Sequence, residues 1–326
     1  MYSIISTKTV NTVKSAYCEV YMGNSVTVFN QVLILFIIMF IGFIAKKAGI
    51  INDTVSKKLS ELLLKITNPL LVLSSFQMDF SNDILNNIIA IFLFAVTAYT
   101  FSILLGQFLF AKYENERKKI MKFSAIYPNC GFMGFPVLEG LFGRTGVLYG
   151  SIIVAVFNLF VWTNGVAIFS SKGKLDKESV KKIALNPGII AVVLGIVLFM
   201  FSVRLPGPVA EAVDLVGSMT IPLSMLIVGA TVADCNFREL FKGWDLYYIS
   251  AIRLILLPLA AFAVLKMTGF PQMPMTVCVL LTAMPVAATT TIFAEMYDGD
   301  SRFASRVVAF TTLASIVTLP LMMLLI

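Results

Sequence analysis

Ten long apolar runs dominate the chain, at roughly 28–45, 59–78, 85–111, 122–142, 146–169, 187–203, 212–233, 246–267, 275–296 and 307–326. A hydrocarbon layer about 30 Å thick takes about 20 apolar residues per helix, because inside lipid every backbone N–H and C=O must find its partner within the segment or a neighbour. Of the 326 residues, 58% are hydrophobic and 13% are charged. Soluble domains run at about 45–50% and about 25%, and have too little core to hide such an excess. The chain is therefore expected to be an all-α polytopic membrane protein. The connecting segments are short, which leaves no room for an extramembrane domain.

The same composition removes whole classes of chemistry. There is no histidine, so Ser-His and Cys-His catalysis and His-ligated metals are excluded. Cys130, Cys235 and Cys278 sit in or beside apolar runs without CxxC spacing, so neither a disulfide framework nor a metal site is indicated. No GxSxG, HExxH or GxxxxGK[ST] motif occurs, and no enzyme activity, cofactor or internal ATP drive is expected. The net charge of +7 lies in short loops between apolar runs, which speaks for membrane orientation and against nucleic acid.

Orientation follows from where those cations fall. Eighteen Lys and Arg lie in alternate loops, at positions 46–58, 112–122, 172–182, 238–242 and 302–306, against five on the other side: Lys8, Lys14, Arg144, Arg204 and Lys266. The crowded loops are expected to be cytoplasmic and both termini outside. Single cysteines placed at Gly173 and Asp298 should then resist impermeant thiol reagents in intact cells and label after permeabilisation. Ready labelling of both from outside would invert the topology. Residues 1–27 are read as an extracytoplasmic tail. Met22 opens a natural-looking start, MGNSVTVFNQVLILF, so residues 1–21 are expected to be an upstream extension or a dispensable tail.

Two proline-centred segments recur. Ile66-Thr67-Asn68-Pro69-Leu70 matches Met219-Thr220-Ile221-Pro222-Leu223 at an offset of 153, and Tyr127-Pro128-Asn129 matches Met284-Pro285-Val286 at an offset of 157. With five runs per unit, the second unit must lie upside down relative to the first, as 28–171 against 172–326. Interrupted helices at matching positions of inverted repeats point to a transporter's binding site. Proline lacks an N–H and clashes with the carbonyl four residues back, so Pro128, Pro136 and Pro285 free the carbonyls of Ser124, Phe132 and Leu281. Gly131 and Gly134 leave room for a second backbone. A lone proline more often only kinks a packed helix. Its recurrence in both halves, beside Asn129 and the Thr289–Thr291 run, favours two broken helices.

PNCGFMGFP at Pro128 to Pro136, NPG at Asn186 to Gly188, IPLSMLIVGATVAD at Ile221 to Asp234, AMPVAATTTIFAEMY at Ala283 to Tyr297 and TTLASIVTLP at Thr311 to Pro320 together resemble the auxin efflux carrier family. That family includes malate and malonate permeases and the plant PIN auxin exporters. The resemblance runs from about residue 28 to the end. It implies ten helices in two inverted five-helix units, related to the sodium/bile-acid symporter fold, with helices 4 and 9 broken and crossing at the substrate site. The long central cytoplasmic loop of the plant exporters is missing, which disfavours auxin and favours small carboxylates.

The candidate substrate site accordingly gathers Pro128, Asn129, Cys130, Gly131, Gly134 and Pro136 from the first break. Pro285, Val286, Thr289 and Thr290 come from the second, and Asn68 and Asn158 from neighbouring runs. Of these, Asn129 is the residue expected to bind substrate, since it adjoins a break and stands in the matched motif; Asn and Thr elsewhere often serve only to hold helices together. Three charged residues lie within apolar runs as gating or charge-pairing candidates. Lys65 has Glu61 one turn earlier as a natural partner and can extend to the membrane surface. Arg253 has either Glu295 or the carbonyls of a broken helix within prospect, and is expected to serve as an optional second counter-charge for a dianion. Glu295 and Glu139 each lie about ten residues past a break; Glu139 is expected to rest in contact with Arg144, and Glu295 keeps a gating role. No metal ligands are assigned.

The leading function is a secondary carrier for a small organic anion, working by alternating access in the cell membrane. A sodium-coupled organic-anion symporter of the bile-acid type, or a sensor or channel on the same fold, are the alternatives. A channel would want a polar stripe along several helices, whereas the polar groups here cluster near the breaks. The expected partners are a small carboxylate and membrane lipid. Oligomeric state is open, a homodimer being one arrangement the sequence permits.

Overall fold

The computed structural model describes residues 30, 32–169, 181, 183–235, 239–297 and 299–326. Among them every regular element is helical, and the single β-type pairing is an isolated bridge between Pro128 and Val286. The tail of residues 1–27 and most of the basic loop at 170–182 lie outside the described residues.

Helices stand where the apolar runs predict them. Five helical stretches among the described residues are long and apolar enough to cross a membrane: Asn82–Leu109, Cys130–Phe169, Gly207–Ala233, Trp244–Met267 and Ser301–Leu325. Shorter apolar helices cover Pro187–Met200 and Gln272–Ala283, and a further helix runs through 32–47. The stretch Cys130–Phe169 is two helices in one: at Gly143, φ 57° and ψ −148°, the chain turns, and Gly146 and Gly150 come back against Leu138. That backbone conformation suits glycine, which has no Cβ to clash. The surface agrees with a lipid setting, since large apolar side chains such as Phe108, Leu215 and Met267 stand exposed at 80%, 70% and 87%. In water so much apolar exposure would drive aggregation.

The prolines act in two ways. Three of them follow a π turn: Pro69 after Leu63–Thr67, Pro136 after Cys130–Gly134, and Pro258 after Ile252–Leu256. Widening the turn upstream relieves the clash with the carbonyl four residues back without ending the helix. Pro128 and Pro285 instead accompany full interruptions. The helix Asn115–Ile126 stops, Tyr127 and Asn129 are non-helical, and the chain resumes at Cys130. Likewise Gln272–Ala283 stops, Met284 is extended, and Thr289–Met296 resumes.

Packing around these breaks rests on close backbone approach. The first helix meets Thr220–Ala233 through Gly42 and Gly229, and Gly217 sits against the backbone of Leu71. Small residues are what allow such approach in lipid, where no hydrophobic force separates helix from solvent. The helices through 32–75 and 187–233 pack with one another, while 82–169 and 244–325 form the larger body that carries both breaks.

Candidate functional site

The two interruptions meet. The Asn129 N–H donates to the Pro285 carbonyl at 2.7 Å and the Ala287 N–H donates to the Tyr127 carbonyl at 3.0 Å, making the antiparallel Pro128–Val286 bridge. Val286 N–H donates to Thr311 Oγ1 at 3.2 Å. Backbone groups that the prolines and extended residues withdraw from helices are thus satisfied across the crossing, as burial in lipid demands. The first break is also held by Tyr127, whose hydroxyl donates to the Phe160 carbonyl at 2.8 Å and to Asn164 Oδ1 at 3.1 Å. Its ring packs on Phe123, which packs on Phe293, with centroids 4.5 and 5.0 Å apart.

Beside the crossing lies a cavity of ≈ 640 Å³, ample for a small organic acid. Pro128, Asn129 and Gly131 line it from the first break, Ala288 and Thr289 from the second, and Asn68 and Asn158 from flanking helices. Asn129 is 4% exposed and its side-chain amide has no hydrogen-bond partner among the described residues. Asn68 Oδ1 and Thr289 Oγ1 are likewise buried and unpartnered. An unsatisfied buried polar group is costly, so a cluster of them at one cavity marks a place where a polar guest would be stabilised. Asn158 differs: its Nδ2 donates to the Val154 carbonyl at 3.0 Å, so it is tied to its own helix.

Electrostatically the cavity has one sign. Lys65 and Lys181, both exposed, stand at its mouth, and no carboxylate lines it among the described residues. Lys65 is paired with Glu61 on the preceding turn, as its spacing predicts. The helices resuming at Cys130 and Thr289 begin at the cavity wall, which Asn129 and Gly131 line at the start of one and Ala288 and Thr289 at the start of the other. The first-turn N–H groups of a helix lack partners within it and carry about half a positive charge together.

Several expected site residues do not line the cavity. Cys130, Val286 and Thr290 are fully buried behind its wall, and Pro285 contributes only its carbonyl, to Asn129. Gly134 and Pro136 serve packing: a Cβ on Gly134 would come within 2.4 Å of the Leu281 side chain. Glu295 is exposed and forms no ion pair among the described residues. Arg253 lies away from the cavity and from Glu295. Buried to 2% exposure, it donates from Nε to the Met284 carbonyl at 3.2 Å, from Nη1 to Ala125 at 2.9 Å and from Nη2 to Thr282. Of the two partners in prospect for it, the broken-helix carbonyls hold it.

On the far side of the crossing, Arg144 pairs with Asp214 at 2.8 Å, and Ser74 Oγ donates to the same carboxylate at 2.7 Å. The expected contact of Glu139 with Arg144 is not the one formed. Asp214, on a helix distant in sequence, takes the guanidinium, and Glu139 Oε2 is left buried without a partner.

Two contributors escaped the sequence reading. Lys181 appeared there only as a topology charge, yet it reaches the cavity mouth. Asn186 lines the cavity too, while its Oδ1 accepts from the N–H groups of Gly188 and Ile189 and caps the helix Pro187–Met200. The Asn-Pro pair of NPG was the available signal, being an N-cap followed by proline at the first helical position.

Comparison with known proteins gives a consistent set of relatives. A family described as membrane transport protein matches residues 27–323. An uncharacterized transporter of Methanocaldococcus jannaschii is 26% identical over 302 residues, covering 90% of this chain and 96% of the relative. One from Methanothermobacter thermautotrophicus is 24% identical over 308 residues, covering 93% and 98%. The uncharacterized transporter YfdV of Escherichia coli is 23% identical over 305 residues, covering 90% and 95%.

Proposed function

The chain belongs to the membrane transport protein family, that of the auxin efflux carriers, and from that premise we propose that it is a secondary carrier for a small carboxylate, bound beside the crossing of its two broken helices. It is a multi-pass membrane protein of a transporter family. The finer architecture we assign is ten spans in two inverted units, 28–171 and 172–326, with both termini outside. The matching offsets of the two proline breaks and the one-sided distribution of cations support it.

The observation that carries the substrate class is the lining of the cavity. Asn129 and Asn68, the first residues of two helices and two lysines line the space, and among the described residues no carboxylate does. Two N-terminal ends at about half a charge each balance one carboxylate without a buried cation. Lys65 and Lys181 add long-range attraction at the mouth, which acts on capture more than on final affinity. In the assigned topology that mouth faces the cytoplasm. The opposite side is closed where Arg144 meets Asp214, a contact between the two packed groups of helices, and Ser74 holds the same carboxylate from within Asp214's own group. Alternating access then amounts to breaking this contact while the cavity closes on the lysine side.

The test is binding to purified protein. Small mono- and dicarboxylates such as malonate and malate should raise the melting temperature saturably, and their amides and methyl esters should not. Lys65→Gln combined with Lys181→Gln should slow uptake at low ionic strength by about tenfold and lose that effect in high salt. Equal binding of the neutral amides would overturn the carboxylate reading.

A further inference from the structure

Arg253 is a buried cation without an anion. No carboxylate contacts it among the described residues, and its partners are three backbone carbonyls. Each of those carbonyls has been orphaned by a break. In a continuous helix Ala125 would accept from the Asn129 N–H, which instead goes to Pro285; Thr282 would accept from the Val286 N–H, which instead goes to Thr311. Met284 lies past the end of its helix. The guanidinium therefore sits where the C-terminal ends of Asn115–Ile126 and Gln272–Ala283 converge. Two such ends amount to about half a negative charge each, so together they balance one cation.

A cluster of inward-facing carbonyls at interrupted helices is the setting in which transporters bind a monovalent metal ion. We propose that Arg253 is a tethered cation occupying that position, holding the two half-helix ends together as a bound sodium ion would, so that this crossing needs no metal ion. The π turn Ile252–Leu256, on which Arg253 stands, gives the side chain its reach by displacing it from the regular helical register. Arg253 is thus a positioning residue, acting on substrate only through the crossing. The consequence for drive, that transport is independent of sodium, rests on the carrier reading; the tethered cation itself does not.

Thermal unfolding of the purified full chain tests it without any substrate, so its outcome is separate from the carboxylate question. Wild-type protein should melt at the same temperature in sodium, potassium and choline chloride. Arg253→Ala should melt lower, by on the order of 10 °C, and millimolar guanidinium or ethylguanidinium should restore much of the loss while leaving wild type unmoved. Arg253→Lys, which keeps the charge but not the three-way fork, should fall between the two. If Arg253→Ala cannot be isolated, Arg253→Lys and the wild-type salt series still decide. A rise of the wild-type melting temperature specific to sodium, an Arg253→Lys protein as stable as wild type, or an Arg253→Ala protein that guanidinium does not rescue would each overturn the proposal.

Discussion

Gly229→Ala is expected to leave little folded protein. A methyl group at this position would lie 1.8 Å from the Met39 carbonyl oxygen and 2.9 Å from the Phe43 nitrogen, and across the same contact a Cβ on Gly42 would lie 2.3 Å from the Leu226 carbonyl oxygen. Both obstacles are backbone, so no rotamer change can yield. The helix at 32–47 and Thr220–Ala233 would have to separate, losing contacts along their length. Overpacking a side-chain core costs about 1–3 kcal/mol, and a clash of backbone with backbone should exceed that. In lipid, moreover, close packing is what associates helices at all. The expected readout is a collapse of the monodisperse fraction on size exclusion, with a lower melting temperature for whatever survives. Gly207→Ala serves as the control, since a Cβ there meets nothing within 4 Å. A Gly229→Ala protein that behaves like wild type would mean that the two helices do not touch in this way.

Asn129→Ala should do the opposite: fold normally and bind badly. The substitution leaves the N–H of residue 129 on the Pro285 carbonyl, so the crossing keeps its bridge, and the amide it removes has no internal partner to abandon. Only a guest in the cavity would lose a hydrogen bond. To a charged group such a bond is worth about 1.5–3 kcal/mol, which is roughly a 10- to 100-fold weaker Kd. Titration of the best carboxylate against wild-type and variant protein, with melting curves to certify both folds, gives the answer. Unchanged affinity in a well-folded variant would move recognition to Asn68 or Thr289.

The helices were legible because a bilayer imposes a local rule. Wherever apolar residues run on for about 20 positions, the backbone must bond to itself. The runs read at 85–111 and 307–326 accordingly differ from the helices Asn82–Leu109 and Ser301–Leu325 by no more than six residues at either end. Places where the helix fails were legible for a similar reason, since a proline's missing N–H is written in the sequence. What each failure becomes was not. Pro136 and Pro258 end in π turns and Pro128 and Pro285 in full breaks. Full breaks persist where another chain segment supplies partners: Pro285 accepts from Asn129, and Thr311 accepts from Val286.

The charged residues divide along the same line. Lys65 and Glu61 are one helical turn apart, and the spacing alone was enough to pair them. Arg253 is 128 residues from Ala125, and Arg144 is 70 from Asp214. For these, spacing offers a choice of partners and packing makes it, giving Arg253 to orphaned carbonyls and Asp214 to Arg144. By itself the sequence determined the membrane setting, the helical class and the two points of interruption, each of which depends on residues close together along the chain. Only the tertiary structure decided that the interruptions meet, which amides face the cavity beside them and what a buried arginine is for, because those contacts join segments whose separation in sequence carries no record of their nearness in space.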